Sequence, residues 1–323
     1  MKILLTGAAG FIGSHVARHL LADAHEVVGI DNLNDAYDVR LKEWRLEQLR
    51  ASRGFSFSLC DISDFSALKE RWERSGPFDA VVDLAARAGV RASIDDPWVY
   101  LSTNAAGTVN LLELCRRSDT RKVVLASSSS VYGKSAELPY TEDQRVDTPV
   151  SPYAASKIAA EVFAHSYHHL YGLDISVLRY FTVYGPAGRP DMSPFRFIRW
   201  ISEESPVTIF GDGTQSRDYT YVDDIARGTV SALRPVGYSV INLGSDAPVT
   251  LMDMARIVEE LVGKQAHFVY RPASDADVKA TWARIDRAKH LLNWTPKTSL
   301  REGLSACVDW YRSHRDLASV IRL

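Results

Sequence analysis

Lys2-Ile-Leu-Leu-Thr6, followed at once by Gly7-Ala-Ala-Gly10-Phe-Ile-Gly13, decides how this chain folds. The first five residues form a short apolar run typical of a buried strand, and the apolar positions from 11 to 21 repeat at helical spacing. Between them the glycines stand in a GxxGxxG pattern. In such a strand–turn–helix the first glycine permits the tight turn and the second lets backbone amides approach a pyrophosphate. The third lets the helix pack close to the strand. The helix N-terminus adds unpaired N–H groups and a partial positive charge. Gly7, Gly10, Phe11, Ile12 and Gly13 are therefore expected around the phosphates of a dinucleotide. A glycine triplet alone is a weak sign, but here it has a strand before it, a helix after it and Asp31 ending the next apolar run. Asp31 is expected to accept the adenosine ribose hydroxyls. Its charge disfavours a 2′-phosphate, so the pattern points to NAD rather than NADP.

The same rhythm continues outward. Runs at 2–6, 25–30, 55–60, 79–84, 122–126 and 175–180 read as buried strands, and amphipathic stretches at 11–21, 65–72, 99–116 and 152–171 read as helices. This alternation predicts an α/β fold, a Rossmann-type doubly wound parallel sheet covered on both faces. Asn32 follows Asp31. Asp61-Ile62 ends the third strand, where the adenine edge is expected, and Leu84-Ala85-Ala86 ends the fourth with small residues where a cofactor passes close. Beyond residue 180 the elements become shorter and Pro and Gly cluster at 184–190 and 210–213, apart from a further strand near 238–244. We expect residues 1–180 to form the cofactor-binding domain, joined by that returning strand, and 181–323 to form mainly a smaller C-terminal substrate-binding lobe. The site is expected in the cleft between them.

Composition narrows the function classes. The 323 residues are 46% hydrophobic and 24% charged, with a net charge of -2, which gives no reason to expect nucleic acid or an anionic membrane as partner. The three cysteines are far apart and lack metal-ligand spacing, so they read as buried thiols in a reducing compartment. No metal site is expected; His165, His168 and His169 share a helix with nothing carboxylate or thiol beside them on that face. No apolar stretch reaches spanning length without a charge, and the cytoplasm is the expected location.

The chemistry is carried by Ala126-Ser-Ser-Ser-Ser-Val-Tyr-Gly133 and Ser151-Pro-Tyr-Ala-Ala-Ser-Lys157. Tyr153 and Lys157 lie four residues apart on a predicted helix and share one face. An unperturbed phenol, with a pKa near ~10, is a poor base at neutral pH, and a neighbouring ammonium favours the phenolate. The hydroxyls at the end of the fifth strand are too polar for the sheet interior. Strand, hydroxyl and Tyr-x-x-x-Lys make a Ser/Tyr/Lys proton-transfer arrangement in which Ser127, Ser128 and Ser129 all remain candidates.

On these residues the chain resembles the extended short-chain dehydrogenases/reductases that act on nucleotide sugars, from residue 1 to about residue 300. Three stretches, 31–37, 84–91 and 179–192, resemble the NAD-dependent UDP-glucuronate 4-epimerases most closely. The resemblance implies that Tyr153 deprotonates the sugar 4-hydroxyl while C4 gives hydride to bound NAD. The transient 4-keto sugar turns over and receives hydride on its other face. It matches Ser128 to the family's catalytic Ser/Thr and gives Lys157 the nicotinamide ribose. Dehydrating relatives follow this position with an Asp-Glu pair and decarboxylating relatives carry a Glu; Ser129 and Ser130 stand here instead.

The resemblance also places Arg189 at the C5 carboxylate of a uronate, where a guanidinium holds a carboxylate in a fork. Thr182 stands where glucose-type epimerases usually carry Asn. Arg217 matches the diphosphate-binding Arg, with Arg91 and Ser93 as further substrate contacts. Arg271 belongs to a segment that departs from the family pattern, with Ala276 in place of Gly, so its reach to a phosphate stays open. A homodimer is implied through the 99–116 and 152–171 helices. The alternatives are a UDP-glucose or UDP-N-acetylhexosamine 4-epimerase, and a non-catalytic NAD-binding regulator.

Overall fold

Six parallel strands form in chain order at β1 (Lys2–Thr6), β2 (Glu26–Asp31), β3 (Phe55–Leu59), β4 (Ala80–Asp83), β5 (Lys122–Ser128) and β6 (Asp174–Tyr180). The structure is a computed structural model that describes residues 1–134, 137–272 and 278–323. After β6 come β7 (Thr182–Tyr184), β8 (Val207–Phe210), β9 (Ser216–Tyr221), β10 (Tyr238–Leu243), β11 (Pro248–Thr250) and β12 (Phe268–Arg271). The main sheet has the order β10-β6-β5-β4-β1-β2-β3 and every pair is parallel. Strand order reverses between β1 and β4, which opens a crevice at their carboxyl ends. Gly7, Asp31, Leu84 and Ser128 all stand at that edge.

The sheet is buried on both faces because its strands are near-continuous Val, Ile, Leu and Ala. Val82, Val124 and Leu178 face one apolar cluster, and Val81, Val123 and Val177 face the other. A third cluster gathers Tyr184, Phe195, Ile209, Tyr219, Val258 and Trp310 around the small sheets β11-β9-β7 and β12-β8. The second half of the chain also serves the main sheet. It supplies β10, and its Val222–Ser231 helix packs on the Phe11–Ala22 helix.

Three local differences from the periodicity have physical causes. A helix at Val39–Arg50, capped by Asp38, fills the connection between β2 and β3. Its pattern is obscured because two inward positions are charged, Lys42 and Arg45, only 4% and 1% exposed. The expected 99–116 helix is three segments: Pro97–Tyr100, a π-helical Leu101–Ala106 and Gly107–Arg116. The wide turn sets Asn104 against the Pro152–Tyr171 helix, donating to Ser156 Oγ at 2.9 Å. Finally, β5 runs on through Ser127 and Ser128, both buried, where the sequence pattern ends the strand at Ala126. Serines are tolerated there because each hydroxyl finds a partner.

Candidate active site

The Pro152–Tyr171 helix starts from Ser151, whose side chain caps Ala154 N, with Pro152 in the first turn. Tyr153, Lys157 and Glu161 recur at every fourth residue and line the face turned toward β5. Lys157 Nζ donates to Ala126 O at 2.8 Å. Ser127 Oγ donates to Glu161 Oε1. Glu161 is in turn gripped by Arg179, at 3.0 Å from Nε and 2.7 Å from Nη2. Ser128, on the opposite side of the strand, accepts Ser130 N at 3.2 Å, and its hydroxyl helps to lower the Tyr153 phenol. The three candidate serines are thereby separated. Ser128 caps the following turn, Ser127 belongs to a buried ion pair, and Ser129 is half-buried on that turn.

The charges differ from those the spacing predicts. Burial raises the Tyr153 phenol above its ordinary value, opposed by the Ser128 hydrogen bond and the charge of Arg189. Burial also depresses Lys157 itself, to about 8, with Asp83 and Glu161 holding it up.

Arg189 comes from the loop after β7 and is therefore far from Tyr153 in sequence. Its Nε donates to Asp191 Oδ1 at 3.0 Å and its Nη2 to Asp191 Oδ2 at 2.6 Å. Nη2 also reaches Ala88 O at 3.4 Å, which Tyr100 Oη reaches at the same distance. The Tyr100 ring packs edge-on against Tyr153, with centroids 6.1 Å apart. A continuous chain of contacts thus joins Asp191 to the Tyr153 ring.

The nucleotide end fits a dinucleotide closely approached by backbone. Gly7 has φ +66°, and a Cβ there would lie 2.9 Å from Ala85 N and Leu84 O. A Cβ on Gly13 would lie 2.0 Å from Gly7 O. Gly10 caps the helix without a side chain, leaving its first amides facing the crevice. Asp31 Oδ1 accepts Leu33 N at 2.8 Å, and Asn32 Nδ2 donates to Asp61 Oδ2 at 2.7 Å. Phe11 is buried, while Ile12 packs at the edge of the sheet core. Ile62 sits under Gly107. Leu84 N and Ala85 N both donate to Thr6 Oγ1, at 3.0 and 2.9 Å, which fixes the strand end leading into Ala86.

At the substrate end the expected residues are less uniform. Arg91 lies over the Phe210 ring at 4.3 Å, and Thr182 stands at the start of β7. Arg217 lies in β9 with Nη1 on Ser216 O at 2.8 Å. Ser93 departs from the expectation. It is fully buried, and its hydroxyl donates to Val90 O at 2.6 Å, so it holds the local turn rather than facing the cleft. Arg271 is exposed at the end of β12, and Ala276 lies outside the described residues.

Comparison with known proteins places this geometry. Residues 3–244 match the NAD dependent epimerase/dehydratase family. The chain belongs to this family. A UDP-glucuronate 4-epimerase of Thermodesulfobacterium geofontis is 55% identical over 321 residues, covering 99% of each chain. The Bacillus cereus UDP-glucuronic acid 4-epimerase, solved with UDP-glucuronic acid and NAD, superposes with a TM-score of 0.90 at 40% identity. That match covers 97% of this chain and 99% of the other. The Thermotoga maritima UDP-glucose 4-epimerase, solved with UDP-glucose, gives 0.89 at 32% identity, over 97% and 99% of the two chains.

Several residues around the site of this epimerase/dehydratase were not legible as functional. Lys42 places its ammonium 3.7 Å from Asp31. Arg87 Nη1 donates to Asn34 Oδ1 at 2.9 Å. Arg45 bridges the glycine loop to the Arg189 loop, reaching Ala9 O at 3.4 Å and Ala187 O at 2.6 Å. The one signal for Lys42 and Arg45 is negative: charges occupying the inward face of an otherwise amphipathic helix.

Proposed function

We propose that this chain is an NAD-dependent UDP-glucuronate 4-epimerase, interconverting UDP-glucuronate and UDP-galacturonate. The observation that carries the reading is a fixed guanidinium, Arg189, which shares the Ala88 carbonyl with Tyr100, the ring packed edge-on against Tyr153. It supplies a carboxylate-binding cation beside the base. Tyr153 takes the proton from the sugar 4-hydroxyl, Ser128 shares it, and Lys157 orients the ribose end of the cofactor and supplies positive charge. NAD held there would supply the hydride chemistry at C4. The glycine loop with Phe11 and Ile12, Asp31, Asn32, Asp61, Ile62 and residues 84–86 would hold the cofactor. Thr182, Arg189, Arg91, Arg217 and Ser129 would hold the substrate, while Ser127 stays on Glu161.

Incubating the NAD-loaded protein with UDP-glucuronate and resolving the products by NMR tests this. UDP-galacturonate is expected. A UDP-pentose with carbon dioxide means decarboxylation, and conversion of UDP-glucose alone would sink the uronate reading.

The depressed Lys157 gives a pH signature. Above about 8 its proton is lost, so kcat/KM is expected to fall about tenfold per pH unit beyond that point. Stability moves oppositely. The unfolded chain keeps the proton toward its ordinary 10.5, so between these values it binds more protons than the folded state. The Lys157 contribution therefore rises with pH. An activity limb that survives unshifted in a Lys157→Arg variant would remove this assignment.

We further infer a homodimer. Val162 and Phe163 on the catalytic helix are 60% and 45% exposed, with Trp98 and Leu101 beside the preceding helix also open. Phe163→Glu is expected to sediment as a monomer where the wild type sediments as a dimer. Residues 1–180 with β10 are read as the cofactor domain and 181–323 as mainly the substrate lobe. The described helices include none long and apolar enough to cross a membrane. The buried free thiols of Cys60, Cys115 and Cys307 suit the reducing cytoplasm.

A further inference from the structure

Arg189 does not wait with an open fork. A guanidinium offers a carboxylate two parallel donors on one edge, and in Arg189 the Nε/Nη2 edge is already filled by both oxygens of Asp191. The pair is locally built. Only Pro190 separates the two residues, and the turn is closed by Met192 N on Arg189 O at 3.2 Å. Among the described residues Nη1 has no hydrogen-bond partner. A second carboxylate arriving here meets a cation that Asp191 has largely neutralised, together with a like charge.

Asp191 has a second cation within its field. Arg196 lies in the first turn of the Ser193–Ser202 helix, its backbone N on Met192 O at 3.1 Å, and its charge helps to lower the Asp191 carboxyl. Its Nε is buried and has no hydrogen-bond partner among the described residues. A buried guanidinium donor without an acceptor is costly, and its neighbour is a carboxylate held elsewhere. The helix that begins two residues after Asp191 adds a favourable N-terminal field for the same charge.

We propose that Asp191 is a specificity-determining residue, an internal carboxylate that occupies Arg189 and is exchanged for the uronate carboxylate of the substrate, moving toward Arg196 as it leaves. The inference rests on the uronate reading above. A neutral hexose gives no carboxylate to exchange, so it leaves the Arg189–Asp191 pair intact and forgoes that contact. Asp191 then discriminates in two ways. It keeps Arg189 neutralised against neutral sugars and makes the gain from a uronate depend on complete displacement. A cation released only to a better carboxylate also limits how tightly product is held.

Asp191→Asn is the decisive variant, because the amide keeps an acceptor for Arg189 and removes only the charge. If Asp191 holds Arg189 in about nine molecules of ten before substrate binds, removing that competition tightens UDP-glucuronate about tenfold and leaves UDP-glucose unchanged. Calorimetric titration of the NAD-loaded protein with each sugar nucleotide reads this ratio, and KM for UDP-glucuronate should fall in parallel. Arg196→Met should do the reverse, weakening UDP-glucuronate and sparing UDP-glucose. Equal changes for both sugars, no change, or weaker UDP-glucuronate binding by Asp191→Asn overturns the exchange while the epimerase reading stands. If the wild type binds UDP-glucuronate without epimerising it, the function falls and the ratio still decides the exchange. If the wild type binds no UDP-glucuronate, both fall.

Discussion

Replacing Tyr153 with Phe is expected to lower kcat by roughly a thousandfold with little change in affinity for NAD or UDP-glucuronate. The substitution removes one oxygen and keeps the ring, so the edge contact with Tyr100 and the backbone of the catalytic helix persist. What disappears is the hydroxyl whose titration Ser128, at the end of β5, helps to lower. The loss should fall on kcat rather than KM, because the proton is removed in the transition state and not in the ground-state complex. Ser128→Ala should cost less, since Ser128 only shares the proton that Tyr153 accepts. Steady-state rates from the NMR assay, with calorimetric binding of each ligand, check both parts. A Tyr153→Phe rate within tenfold of wild type would move proton removal to another group.

The second large effect concerns Arg189. Arg189→Met is expected to lower kcat/KM for UDP-glucuronate by about 3 kcal/mol, on the order of a hundredfold, since a partly desolvated carboxylate loses its cation. UDP-glucose binding should change little, because that sugar has no carboxylate to place. The same substitution has a chemical consequence. A 4-keto uronate is a β-keto acid that loses carbon dioxide when the C5–C6 bond aligns with the carbonyl π system. The electrons of that bond pass to C4–O, and C5 later takes a proton. A carboxylate freed from its fork samples that alignment, so the fraction of turnovers yielding a UDP-pentose should rise. Equal losses on both sugars would show that Arg189 supports the fold or Tyr153 rather than the uronate.

Much of the scaffold was legible from short-range pattern. The strand–glycine–helix unit, the alternation through residue 180 and the strand at 238–243 need only period and turn chemistry, which are properties of one element at a time. The Val39–Arg50 helix escaped because Lys42 and Arg45 break its apolar face, and they do so because they turn toward Asp31 and the glycine loop. The 99–116 stretch was read as one helix because a π-helical turn keeps helical spacing almost unchanged in sequence. Ser93 was read as a substrate contact because its position beside Arg91 was visible and its burial was not.

The amino-acid sequence by itself determined the cofactor loop, the Tyr153–Lys157 pair and the absence of carboxylates at 129 and 130. Each is written within one turn or one helix, where backbone geometry fixes what faces what. Only the tertiary structure decided that Glu161 takes up Ser127, and that the Arg189 loop reaches Tyr153 through Tyr100. It alone showed that Asp191 fills the Arg189 fork. The reason is that hydrogen bonds and charge effects depend on distance and desolvation. The residues that set them here lie on β5, the Pro152–Tyr171 helix and the loop after β7, which meet only when the sheet has closed.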